Sequence, residues 1–206
     1  MKAKQSLRTR VSLLVAGACL ALLACTHETA SSAEGALESG VGALEVDVSE
    51  DMSRFLFDDA PLHADGMPAA GNAFVTQGYL YPHGFLDEHE GTTEEGAPAH
   101  PEDVIGEWTC RGVFVGDGAH TESGPIVVTS QVFDLYEAPG YEQGKASGKH
   151  LLTSDGYELV DVGEPIERVI TGGTGAYRGG AGQQHQVLLG LNGSQGVNLR
   201  VVFDLD

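Results

Sequence analysis

The chain has 206 residues, with 30 Asp and Glu against 11 Lys and Arg and a formal charge of −19 at pH 7. A field of that sign repels phosphate backbones and anionic head groups, which excludes nucleic-acid binding. The length suits a single domain with a sizeable core.

Lys2, Lys4, Arg8 and Arg10 stand in the first ten residues with no acid among them, and the apolar run "VSLLVAGACLALLA", Val11 to Ala24, follows. A basic segment ahead of an apolar run too short to cross a bilayer comfortably reads as a signal peptide. The run closes on "LLAC", Leu22 to Cys25, which resembles the lipobox of bacterial lipoproteins. In that class the cysteine matching Cys25 is acylated and becomes the first mature residue, so the resemblance implies a signal peptide over 1–24. It also implies a lipid anchor on Cys25 in the bacterial cell envelope, and Thr26 in place of Asp points to the outer membrane. One acyl chain holds a protein to a membrane only marginally; this class carries several. The alternative is an ordinary secretory signal cut near the same point, with Cys25 incidental. Cleavage after residue 24 removes four basic and no acidic side chains, leaving seven against 30, a formal charge of −23. Cys19 leaves with the signal and Cys25 is lipidated, so Cys110 remains alone and no intrachain disulfide is available.

Residues 26–42, "THETASSAEGALESGVG", are small and polar and read as a tether. In the stretch Ala43 to Gly71, "ALEVDVSE" alternates apolar and acidic residues as a strand does, "MSRFLF" suits a helical turn, and "DDAPLHADGMPAAG" is rich in breakers. Residues 25–71 are assigned to tether and N-terminal extension, and 72–206 to the domain proper. From Asn72 onward the pattern is all-β. Strands are predicted over Ala73–Tyr81, Val104–Val115, Ile126–Tyr136, Lys145–Thr153, Tyr157–Val162, Glu164–Thr171, Gly182–Leu191 and Val197–Asp204. Turn signals such as "APGYEQG", "SDGY", "DVGEP" and "LNGSQG" separate them. No long window keeps a 3.6-residue period, so little helix is expected. "HGFLDEHEGTTEEGAPAHP", His83 to Pro101, reads as a long acidic loop with at most one turn at "FLDEHE". Eight consecutive antiparallel strands suit a closed barrel, which has no edge strands and whose interior is filled by side chains or holds one small ligand.

The stretch "ITGGTGAYRGGAGQ", Ile170 to Gln183, joins the sixth and seventh predicted strands. It is a poor phosphate loop: no glycine falls three positions after Gly175, no helix follows, and there is no Gly-Lys-Ser/Thr. Glycines at a strand reversal supply positive φ, and Tyr177 is placed to plug the barrel end. Gly172, Gly173, Thr174, Gly175, Tyr177, Gly179 and Gly182, with Arg178 after the aromatic, resemble the signature of the allene oxide cyclase and dirigent-protein barrels. The resemblance spans roughly Ala73 to Asp204. It implies an all-β fold, an eight-stranded antiparallel barrel of the allene oxide cyclase-like, calycin type. It further implies an interior that binds a small hydrophobic ligand, or steers its chemistry, with no cofactor, and an oligomer, since the plant cyclases form trimers. The chain also departs from the family. The first-strand Glu-x-Asn pair of the plant cyclases is met by "FVTQGYLYP", which has no carboxylate. The position of their pocket cysteine is Phe114, and that of a strand tyrosine is His150.

Alternation in "EWTCRGVFVGD" puts Trp108, Cys110, Gly112 and Phe114 on one face, predicted inward, with Arg111 outside. With no cation on its face, Cys110 reads as an inert buried thiol rather than a nucleophile. Thr129, Gln131, Phe133 and Leu135 share one face of their strand and Val128, Ser130, Val132, Asp134 and Tyr136 the other; alternation does not choose which points inward. His150 is a candidate polar group of the interior, able to bind or transfer a proton near neutral pH, the alternative being an exposed strand histidine beside Lys149. His83, Asp87, His89 and Glu90 fall close together but match no standard ligand spacing, so a solvated loop is preferred and no metal site is assigned. No Gly-x-Ser-x-Gly appears, so a hydrolase is not indicated. The ligand-binding candidates are therefore Trp108, Cys110, Phe114 and His150, with no catalytic residue assigned. Three functions compete: a ligand-binding barrel on an envelope lipoprotein, a ligand-free scaffold for protein contacts, and a cofactor-free isomerase or cyclase. An open apolar interior favours the first and third; a barrel filled by Trp108, Phe114 and Tyr177 favours the second.

Overall fold

A computed structural model of the chain describes residues 43–206. The expected signal peptide, the Cys25 lipidation site and the tether lie outside the described residues. Eight strands follow one another: β1 (Leu44–Phe57), β2 (Ala73–Pro82), β3 (Gly106–Phe114), β4 (Pro125–Leu135), β5 (Leu151–Leu159), β6 (Pro165–Gly173), β7 (Gly182–Leu191) and β8 (Val197–Leu205). Each pairs antiparallel with the next, and β8 returns to β1, closing the barrel. Helix among the described residues is confined to single 3₁₀ turns, one of them at Phe85–Asp87 inside the long acidic loop.

The count of eight is as expected, but two members differ. Leu44–Phe57, expected as a loose extension, is the first strand of the barrel, with Val46 opposite Pro82 on β2 and opposite Val201 on β8. The barrel therefore begins at Leu44 and not at residue 72. The expected strands Lys145–Thr153 and Tyr157–Val162 are a single strand, β5, that runs straight through "SDGY". Lys145–His150 belongs to the preceding loop, where the Lys145 ammonium donates to the carbonyls of Ala138, Pro139 and Gly140.

β1 was hard to place because its polar residues are buried too. Leu44, Val46, Val48 and Glu50 face the interior, while Asp47, Ser49 and Asp51, on the outer face, are also shielded from solvent. The loop after β2 covers them: the Leu86 N–H donates to Asp47 at 3.0 Å, and Arg200 on β8 holds both Asp47 oxygens at 2.9 and 3.1 Å. That loop rests on a second apolar cluster of Tyr79, Tyr81, Val104 and Tyr136, with Phe85 stacked on Tyr81 at 4.6 Å.

At the end where β1 starts and β6 finishes, the interior is solid. Trp108, Phe133, Leu152, Ile170, Val201 and Phe203 pack there, with the Phe133 and Phe203 rings edge to face at 4.8 Å. The glycine-rich turn closes this end. Tyr177 inserts into the same cluster, and Gly175, at φ +58°, lies so close to the Lys149 carbonyl that a Cβ there would collide with it. Because β1 bridges β2 and β8, a chain starting at Asn72 should lose its cooperative thermal transition and the near-ultraviolet dichroism of buried Trp108, whereas one starting at Ala43 should keep both.

Candidate functional site

Above the solid end lies a layer of hydrogen-bonded polar side chains. The Gln131 amide donates to Gln186 at 2.9 Å, and the Gln184 amide donates to Gln131 at 2.9 Å and to Gln186 at 3.0 Å. This decides which face of β4 points inward: it is the face of Thr129, Gln131, Phe133 and Leu135. Arg168, on β6 between Ile166 and Ile170, has a side chain with no exposed surface. Its Nη1 donates to the Tyr157 carbonyl at 2.7 Å, and its Nη2 to the Thr129 hydroxyl and carbonyl at 2.9 and 3.1 Å. Gly156 makes room for it, since a Cβ there would sit 3.0 Å from Arg168 Cγ. Burial draws the guanidinium downward and neighbouring Glu158 pulls it back up.

Glu158 on β5 links this layer to the space beyond it. Its Oε1 accepts from the Thr129 hydroxyl at 2.7 Å, the Gln131 amide at 3.1 Å and the Cys110 thiol at 3.4 Å, and lies 3.9 Å from Arg168 Nη1. Burial, reinforced by Glu158, pushes the Cys110 thiol well above its usual range, so it stays protonated and donates. Across the barrel stands Glu50 on β1, buried, accepting from the Thr76 hydroxyl at 2.6 Å and the Val197 N–H at 2.7 Å. Burial raises the Glu50 carboxyl above its ordinary 4.5; the two hydrogen bonds oppose the rise, and the charges of Glu158 and Asp51 add to it.

Beyond the two carboxyls the other half of the barrel opens into a cavity of about 280 Å³. Phe55, Phe74, Phe114, Val127, Leu188 and Leu199 are among its apolar walls, and Glu50, Glu158, Thr76, Cys110 and Trp108 also line it. Phe74 stacks against Phe55 at 5.3 Å and tilts against Phe114 at 5.2 Å. This volume is near the lower end of small-molecule sites, roughly 300–1,000 Å³, and the lining of apolar walls with a few convergent polar groups is typical of them.

Of the sequence candidates, Trp108, Cys110 and Phe114 line this cavity, and His150 does not. His150 precedes β5 at the solid end of the barrel, where its Nδ1 accepts the Ala176 N–H of the glycine-rich turn at 3.2 Å. The acidic-loop residues diverge: His83 pairs with Glu45 at 3.4 Å, Asp87 with Arg200 at 2.9 Å, and His89 stacks on Phe85 at 4.5 Å. Glu50, Glu158 and Arg168 escaped the sequence reading. Glu50 lay in the supposed extension and Glu158 beyond a supposed turn. Arg168 alone had a signal, an arginine between two isoleucines on one face of an alternating strand. "FVTQGYLYP", expected as the first strand, is β2, and the first strand of the barrel carries Glu50 inward.

No protein-family model matches the chain and no curated protein matches it in sequence. Solved structures do resemble it. The pterocarpan synthase dirigent protein PsPTS1 shares 14% identity at a TM-score of 0.50, over 78% of this chain and 91% of that one. A pyocyanin demethylase (13% identity, TM-score 0.45, 79% of this chain and 100% of that one) and the intermolecular Diels-Alderase AbnU (14%, 0.41, 79% and 98%) are more distant. At such identities the likeness is one of fold.

The raised Glu50 carboxyl fixes the sign of a pH effect. The folded chain holds this proton to higher pH than the unfolded chain does, so the stability it contributes is complete below about 4.5 and is lost as pH rises through the folded value. Glu50→Gln should remove that component. Thermal melts across pH 4 to 8 should show the melting temperature of the variant gaining on that of the wild type as pH rises.

Proposed function

We propose that this chain, an allene oxide cyclase/dirigent-like barrel in fold, binds a compact apolar molecule in the open half of its interior. The observation that carries this reading is the cavity walled by Phe55, Phe74, Phe114 and Leu188, with Glu50 and Glu158 converging on it. Apolar walls supply most of the affinity, at about 25 cal/mol for each Å² removed from water, and the carboxyls fix orientation. A scaffold barrel has no need of such a space; packing its interior to the density of the opposite half would be more stable. The dirigent protein named above is a pterocarpan synthase, and its likeness in fold supports a small-molecule reading here. Burial raises the Glu50 carboxyl and so eases its exchange of a proton with a bound molecule, the feature that favours a cofactor-free isomerase or cyclase as second reading.

We further propose that the barrel is exported and held at the bacterial cell envelope through a lipid on Cys25. The basic N-terminus, the apolar run and the "LLAC" sequence support this placement.

Titration with N-phenyl-1-naphthylamine, a neutral apolar fluorophore, should give saturable one-site binding. Leu188→Trp, which fills the cavity, should weaken it at least about tenfold while the protein still melts cooperatively. Absence of binding, or equal binding by the filled variant, would refute the pocket reading. Separately, in a bacterial host fed labelled palmitate the wild type should incorporate the label and Cys25→Ala should incorporate none and remain unprocessed at the lipobox.

A further inference from the structure

Among the described residues no Lys, Arg or His lines the cavity, whereas two carboxyls do. The cation beside Glu158, Arg168, stands behind the wall with no exposed surface and donates to Tyr157 and Thr129. With both carboxyls ionised, the guanidinium lies 3.9 Å from one of two negative charges. Hydrogen bonds crowd onto Glu158 Oε1, from Thr129, Gln131 and Cys110, while Oε2 accepts none from the described residues and the side chain keeps 13% of its surface exposed. Glu50 has hydrogen bonds on both oxygens but no cationic partner among the described residues. A carboxylate in apolar surroundings without a countercharge is unfavourable, and a bound cation relieves that cost. The remaining walls act in the same direction. Phe55, Phe74, Phe114 and Trp108 surround the space with aromatic surface, whose negative ring faces attract cations. The chain's formal charge of −19 also concentrates cations around it.

We infer, building on the pocket reading above, that the cavity selects an apolar molecule carrying a positive charge, an alkyl- or aryl-ammonium, over its neutral and anionic counterparts. The ammonium occupies the carboxyl side of the cavity, donating to the free Glu158 Oε2, and the hydrocarbon part lies among the phenylalanines. A carboxylate in the same position would bring a third negative charge beside Glu50 and Glu158. A neutral alcohol donates one hydrogen bond but leaves the charge uncompensated.

The test uses three probes of one shape: adamantan-1-amine, adamantan-1-ol and adamantane-1-carboxylate. Trp108, the single tryptophan, reports on the cavity wall through its fluorescence. At pH 7 and low salt the amine should bind at least about tenfold more tightly than the alcohol, with the carboxylate weakest of the three. Glu158→Gln should bring the amine-to-alcohol ratio near one. Since that variant unbalances Arg168, Glu50→Gln is a second variant expected to narrow the ratio, and the wild-type ratio needs no variant. Equal binding of all three probes would leave the pocket standing and overturn the charge selectivity. Binding of none would overturn the pocket reading along with it.

Discussion

A guanidinium buried inside a protein must find acceptors and a counter-charge, and Arg168 is buried at mid-height in the barrel. That requirement organises its surroundings. β5 carries glycine at 156, where the side chain of Arg168 passes. Glu158 turns inward from β5, and Thr129 serves both groups, accepting from Arg168 and donating to Glu158. Gln131, Gln184 and Gln186 continue the polar layer across the barrel. Loss of one member of such a layer leaves the others buried without partners, and breaking a buried ion pair costs about 3–5 kcal/mol. The layer is therefore a fixed partition rather than a set of interchangeable contacts.

The partition gives the two halves of the barrel different properties. On one side Trp108, Phe133, Leu152, Phe203 and Tyr177 fill the interior, and the glycine-rich turn seals it. On the other side the apolar walls leave the cavity between them, and Glu50 and Glu158 form its polar margin. Rigidity at one end and space at the other suit a site whose polar groups are held in place before a ligand arrives. The same layer holds the Cys110 thiol protonated, so the one free cysteine among the described residues serves as a hydrogen-bond donor rather than a nucleophile.

β1 shows where sequence patterns lose their meaning. Alternating apolar and acidic residues normally mark a strand with one wet face. Here the acidic face is covered by the loop after β2 and matched by Arg200, which comes from the opposite end of the sequence. Nothing local to residues 44–57 announces that partner. "SDGY" misled in a similar way: Ser-Asp-Gly marks a turn in isolation, yet Gly156 sits mid-strand to admit Arg168. Trp108, Cys110 and Phe114 could be placed because the apolar side chains of β3 alternate with the polar Glu107, Thr109 and Arg111. His150 could not, because it lies at the boundary between loop and strand, where parity gives no direction.

The sequence by itself determined the all-β class, the strands from residue 73 onward outside the Lys145–Val162 stretch with their inward face at Trp108, and the glycine-rich reversal plugged by Tyr177. Each of these follows from local periodicity or backbone freedom. Only the tertiary structure decided that Leu44–Phe57 closes the barrel, that half of the interior stays open, and that Glu50, Glu158 and Arg168 meet there. Those three stand on strands separated by up to 118 residues, and the register of a closed sheet brings them together where no local pattern could.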